Sequence, residues 1–172
     1  MFKKLSEQEV LERLSLRKTE VKCLDKLPPL DKFYISFVSQ YEDEEITPDI
    51  EVLGYEKVVK ENRYLATNYT NISKMVWLIG RTGQGDQWFI KRDNGVILFY
   101  DHNQGEYSNM KQFVSLHIGF SDFLQMAFLY QDLEILLNKQ AEATKDQIIN
   151  FIKTINSIYP NLYESYPFGY FR

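Results

Sequence analysis

Cysteine and histidine are scarce in this chain of 172 residues, and their scarcity excludes several kinds of site. The single cysteine, Cys23, cannot form an internal disulfide or a metal centre built from several thiolates. The two histidines, His102 and His117, belong to no His-Glu-x-x-His motif, and the Gly-x-Ser-x-Gly string of many hydrolases is missing. We therefore expect no metal, no cofactor and no enzymatic activity.

Long apolar runs and clusters of basic residues are also missing. No stretch approaches the roughly 20 apolar residues of a membrane span, and the first residues lack the apolar run of a signal peptide. We therefore expect a cytoplasmic protein that does not bind membranes. Direct nucleic-acid binding is not expected either, because the net charge is −4 and phosphate backbones are bound by clustered Lys and Arg.

What the chain does have is a concentration of acids and of tyrosines. Segment 41–51 contains six acidic residues and no base, namely Glu42, Asp43, Glu44, Glu45, Asp49 and Glu51. This pattern is typical of a solvated loop, and it also fits a surface that attracts a basic partner. Twelve tyrosines should leave several hydroxyls at the surface, which is typical of protein interfaces.

Helices are predicted at both ends of the chain. Ser6 with Glu9, and Thr144 with Gln147, fit capping boxes at helix starts. Further helices are expected after Asp31, over 55–64 and from about Ser121, where apolar residues recur at helical spacing.

The middle of the chain predicts strands at 75–79, 87–91, 96–100 and 113–118. Asn94-Gly95 predicts a hairpin closed by a two-residue type I′ turn. The expected fold is a single α+β domain over 1–172, with a mostly antiparallel sheet, helices packed on one side and a second face partly open.

Several motifs in the middle of the chain resemble the SUKH superfamily, which includes bacterial immunity proteins and the yeast cell-wall-assembly regulator. The motifs are Ile79-Gly80, Gly83-Gln84-Gly85-Asp86-Gln87-Trp88, Asp101-His102 after the strand at 96–100, and Phe120-Ser121-Asp122-Phe123-Leu124. The resemblance is clearest over 30–137, while the C-terminal helix and aromatic tail of 144–172 lie outside the pattern.

The resemblance implies an antiparallel sheet flanked by helices and the role of an antitoxin. Such a protein binds a cognate bacterial toxin domain, often a nuclease, and neutralises it. Nuclease toxins tend to be basic, so an acidic inhibitor would gain from electrostatic steering. As partner-binding residues we predict the acidic segment and exposed aromatic residues of the sheet, namely Glu42, Asp43, Glu44, Glu45, Trp88, Tyr100 and Tyr107.

Two alternatives stay open. One is a general regulatory or scaffolding module with several weaker partners. The other is a small hydrolase that uses Asp86, Asp101 and His102, since a histidine beside carboxylates could transfer protons or bind a metal. This last alternative requires the three side chains to converge, whereas adjacent residues of a strand point to opposite faces.

Overall fold

A six-stranded antiparallel sheet with the order β1-β2-β3-β4-β5-β6 forms the centre of the computed structural model, which describes residues 1–171. Each strand pairs with the next one along the chain, so the sheet is a meander. The strands are β1 (Glu44–Thr47), β2 (Ile50–Val52), β3 (Val76–Arg81), β4 (Gln87–Lys91), β5 (Ile97–Tyr100) and β6 (Val114–Ser115).

Helices precede the sheet, interrupt it once and follow it. They are α1 (Glu7–Glu12), α2 (Lys32–Gln40), α3 (Tyr55–Asn68), α4 (Thr70–Ser73), α5 (Phe120–Lys139), α6 (Lys145–Ile158) and α7 (Leu162–Ser165). The predicted α+β class is therefore confirmed. None of the helices in residues 1–171 combines the length and the apolar character that crossing a bilayer requires.

The predicted helix starts are confirmed by their caps. Both capping boxes form, because Ser6 and Thr144 accept from the backbone N–H groups of Glu9 and Gln147, whose side chains accept in return. Asp31 caps α2 through its side chain alone, which accepts from the Tyr34 N–H at 2.9 Å.

One face of the sheet packs against α2, α5 and the aromatic tail. The ring of Trp88 lies 5.0 Å from that of Phe123 on α5 and 6.2 Å from that of Tyr166 in the tail. Trp77, on the same face, donates its indole N–H to the Tyr34 hydroxyl of α2 at 3.0 Å. The tail therefore belongs to the core.

The other face is also covered, so the prediction of a partly open, aromatic face is wrong. Phe89 points to this face and is buried under Tyr107 and Phe113, whose rings lie 5.9 and 5.1 Å away. The end of α3 joins them, because Tyr69 contacts Tyr107 at 5.0 Å. The segment 101–113 thus folds back over β4 and β5 and occupies the face that we expected to find open.

The hairpin predicted at Asn94-Gly95 is present, but its turn is longer than expected. The Lys91 N–H donates to the Val96 carbonyl at 2.8 Å, which leaves the four residues 92–95 as the loop. A type I′ turn needs positive φ at both central residues. Here φ is 75° at Gly95, but it is not positive at Asn94. Asn94 instead accepts from the Val96 N–H through its side chain.

Gly80 permits a close approach between β2 and β3 that no side chain would allow. A Cβ atom at Gly80 would lie 2.5 Å from the Glu51 carbonyl oxygen, which is part of the neighbouring strand. The strand register also shifts between Leu78 and Gly80, which marks a β-bulge.

We predict that Gly80→Ala destabilises the fold by about 1–3 kcal/mol, because the two backbones must separate. Urea denaturation measures the free energy of unfolding. Gly83→Ala is the matched control, since a Cβ there would meet its nearest atom at an ordinary 3.5 Å. Equal stability of the two variants would contradict the close approach.

Candidate functional site

The acidic segment is a β-hairpin at the edge of the sheet and not the loop that its composition predicts. β1 and β2 place their apolar residues inward, so Ile46, Ile50 and Val52 are buried. Gln131 of α5 fastens the hairpin by donating to the Ile46 carbonyl at 3.0 Å. The acids are therefore displayed on a fixed backbone.

Two of the six acids are neutralised by neighbouring cations. Lys57 lies 2.8 Å from an Asp43 carboxylate oxygen, and the Arg81 guanidinium binds Glu51 at 2.8 and 3.2 Å. The Asp43 carboxylate also accepts from the Gly54 N–H, so Asp43 supports the fold as well as the surface.

The other four acids of segment 41–51 form no ion pair within residues 1–171, and they are Glu42, Glu44, Glu45 and Asp49. Arg17 lies near enough to Glu42 to interact with its charge, whereas Asp49 is partly buried in the turn. Glu45 lies directly opposite Glu51 in the strand register, and like charges in this position are destabilising. Arg81 binds Glu51 and so offsets part of this repulsion. The hairpin carries a negative surface to which Glu42, Glu44 and Glu45 contribute.

The acidic hairpin is one end of a row of side chains across the sheet. Successive register partners run from Glu45 to Glu51, then to Arg81, Gln87 and Tyr100. Residues that face each other in antiparallel strands point to the same side, which here is the side covered by α3 and segment 101–113. The row links the hairpin to the part of the surface where Tyr107 lies.

Of the predicted aromatic contact residues, the structure leaves one at the surface. Trp88 is 0% exposed and donates its indole N–H to the Asp49 carbonyl, and Tyr100 is 2% exposed. Their prediction as partner-binding residues is wrong, because both faces of the sheet are covered. Tyr107 is half-buried, with its ring 4.6 Å from that of Tyr100.

The structure brings Asp86, Asp101 and His102 together. Asp86 accepts at one carboxylate oxygen from both the ring Nδ1 of His102, at 2.6 Å, and its backbone N–H, at 3.0 Å. Thr82 donates its hydroxyl to the other oxygen at 3.1 Å. One ligand atom from each of the three residues lies within 4.8 Å of the others, an arrangement that could in principle hold a metal ion.

The Asp86 carboxylate uses most of its capacity to accept hydrogen bonds within this network. Burial raises the pKa of Asp86, but the hydrogen bonds from His102 and Thr82 outweigh it, so the net pKa lies below the ordinary value. The ionised carboxylate fixes the proton on Nδ1 of His102 and leaves Nε2 as the free nitrogen of a ring that is 43% exposed. These hydrogen bonds of Asp86 tie the β3–β4 turn to the start of segment 101–113.

Compared with known proteins, the chain matches no protein-family model, no curated protein and no solved structure. The resemblance to the SUKH superfamily therefore stays a prediction.

We predict that Asp86→Asn lowers the free energy of unfolding at pH 7 by about 1.5–3 kcal/mol, since hydrogen bonds to a charged acceptor are lost. The pKa of Asp86 is lower in the folded than in the unfolded state, so its contribution is complete above the unfolded-state pKa near 4. The difference in the free energy of unfolding between wild type and variant should shrink as the pH falls from about 4 through the folded-state pKa of Asp86.

Chemical denaturation at pH 7 and at pH 2.5 checks this prediction. Asp101→Asn is the control, because asparagine preserves the cap that Asp101 provides to the Asn103 N–H. A stability loss in Asp86→Asn that is independent of pH would contradict a role for the charge.

Proposed function

We propose that this chain is an immunity protein that binds and neutralises a cognate bacterial toxin domain, such as a basic nuclease, in the cytoplasm. The observation that carries the proposal is the hairpin surface on which Glu42, Glu44 and Glu45 form no ion pair within residues 1–171. The resemblance to immunity proteins supports the same conclusion. The protein acts by contact, without turnover of its own.

The hairpin suits the capture of a basic partner. Its apolar side is buried and bonded to α5, so its acids stand on a surface that needs little rearrangement on binding. A cluster of one sign of charge accelerates encounters with an oppositely charged surface. Acids on an edge strand can also serve only to prevent aggregation, and the experiments below separate the two roles.

Co-expression with a toxin domain encoded beside the gene of this chain tests the proposal. We expect the chain to restore growth and to form a 1:1 complex with a dissociation constant in the nanomolar range or below. Failure to restore growth, together with the absence of a complex between the purified proteins, would contradict the proposal.

We predict that reversing Glu42, Glu44 and Glu45 to Lys slows association with the toxin domain about tenfold or more at low salt, because steering is lost. Stopped-flow association rates at several salt concentrations measure the effect, which should shrink as salt screens the charges. The control reverses three exposed acids outside the hairpin, Glu12, Asp25 and Glu142, and so has the same net charge. Equal rates in both variants would show that the hairpin acids do not steer association.

A small hydrolase using Asp86, Asp101 and His102 is the second candidate, and their convergence is the observation that favours it. In this role His102 would act as a base through Nε2, oriented by Asp86. Chromogenic phosphate and carboxylate esters, assayed with and without Mn²⁺ or Zn²⁺, test it. Turnover that is lost in His102→Gln and kept in His117→Gln would establish this candidate, and absence of turnover would eliminate it for these substrates.

A further inference from the structure

A cluster of tyrosines occupies the surface at the far end of the row that starts in the acidic hairpin. The tyrosine patch consists of Tyr64 on α3, Tyr69 just after α3, and Tyr107 on segment 101–113. The rings of Tyr69 and Tyr107 meet edge to face at 5.0 Å. Tyr64 is 60% exposed, while Tyr69 and Tyr107 are half-buried.

The patch is rigid at its base. Tyr107 packs on Tyr100 at 4.6 Å and lies parallel to Phe113 at 6.1 Å, and both of these residues are buried. Aromatic side chains that are already fixed lose little entropy when a partner binds. Tyr69 and Tyr107 are therefore preorganised for contact, and Tyr64 extends the patch on the exposed side.

The hydroxyl groups of the patch are available to a partner. Within the described part of the chain, the hydroxyls of Tyr64, Tyr69 and Tyr107 form no hydrogen bond. The neighbouring Tyr100 differs, because its hydroxyl donates to the Gly105 carbonyl at 2.9 Å. At Tyr69 and Tyr107 the rings supply the packing, which leaves the hydroxyls as hydrogen-bonding groups for a partner.

Two carboxylates lie beside the patch. Glu61 lies three residues before Tyr64 on α3, a spacing that places both side chains on one face of the helix, and Glu106 directly precedes Tyr107. In agreement with this placement, the pKa of Tyr69 and of Tyr107 is raised mainly by burial, with smaller contributions from Glu106 and Glu61, respectively.

Neither Glu61 nor Glu106 forms an ion pair with any residue in 1–171. Arg81 is the base whose charge interacts with Glu61, so Glu106 is the less compensated of the two acids. The patch thus combines ring faces, hydroxyls and carboxylates that form no close ion pair.

We propose that the tyrosine patch, with Glu61 and Glu106, binds an arginine side chain of the partner protein. Resting on the proposed function, this inference divides one surface into two parts: the acidic hairpin accelerates encounter, and the tyrosine patch anchors the complex. A guanidinium group can stack on a tyrosine ring while its N–H groups donate to carboxylates, which the compact ammonium of lysine does less well. Tyrosine and arginine are also the residues that most often dominate binding energy at interfaces.

A tetra-arginine peptide with blocked ends is the probe that tests the arginine chemistry without any toxin. Titrated into ¹⁵N-labelled protein, it should shift the amide signals of residues 61, 64, 69, 106 and 107 as well as those of the hairpin. The matched citrulline peptide, which has the same shape but no charge, should shift neither set. Shifts confined to the hairpin, or equal shifts with the citrulline peptide, would overturn the inference.

The double variant Tyr64→Ala/Glu61→Gln should weaken peptide binding at the patch about fivefold or more, because a cation–π contact and a charged acceptor are removed. Tyr159→Ala is the control, since Tyr159 is another exposed tyrosine that lies outside the patch. Tyr107→Phe keeps the ring and separates the contribution of the hydroxyl. Unchanged binding in the double variant, with its fold verified by circular dichroism, would contradict the assignment.

The same variants distinguish this inference from the proposed function. If the chain neutralises a toxin domain and the double variant dissociates from it at the wild-type rate, the inference fails and the function stands. If the arginine peptide binds the patch while no adjacent toxin domain is bound, the function fails and the arginine site stands.

Discussion

The indole ring of Trp88 connects parts of the molecule that are distant in sequence, and the display of the acidic hairpin depends on it. From the middle of the sheet it contacts Phe99 of β5, Phe123 of α5 and Tyr166 of the tail. Its N–H donates to the Asp49 carbonyl in the turn between β1 and β2 at 2.8 Å. Core packing thereby fixes the orientation of an edge hairpin, which by itself would be too short to be stable.

The fold could be predicted from the sequence wherever local signals were strong. Capping residues marked the starts of α1, α2 and α6, and the apolar runs marked β3, β4 and β5. Where two signals in one segment indicated different structures, the less conspicuous signal agreed with the structure. Six acids dominated segment 41–51, although Ile50-Glu51-Val52 already alternates as a strand does, and Pro48-Asp49 is a typical turn.

The candidate site was less predictable, because it depends on contacts between separate segments. Trp88 and Tyr100 were expected at the surface, and nothing local to them indicates that segment 101–113 folds back over the sheet. Asp86, Asp101 and His102 were named together from the sequence, but their convergence was not predictable, because the bond between Asp86 and His102 joins residues from two different turns. Tyr64 and Tyr69 were not predicted as contact residues, although Tyr64 follows Glu61 by three residues on α3, a spacing that places the two side chains on one face.

Segment 101–113 is attached to the sheet at both ends and also in its middle, where Tyr107 packs on Tyr100 and the Tyr100 hydroxyl donates to the Gly105 carbonyl. At the start, the Asp86 carboxylate accepts from the ring Nδ1 and from the backbone N–H of His102. At the end, Phe113 is buried against Phe89 and Tyr100. Between these anchors the residues around Glu106 are exposed. Because these side chains are exposed, their exchange changes the surface of the protein while the packing of the sheet is kept, so one scaffold can acquire a new binding preference without being refolded.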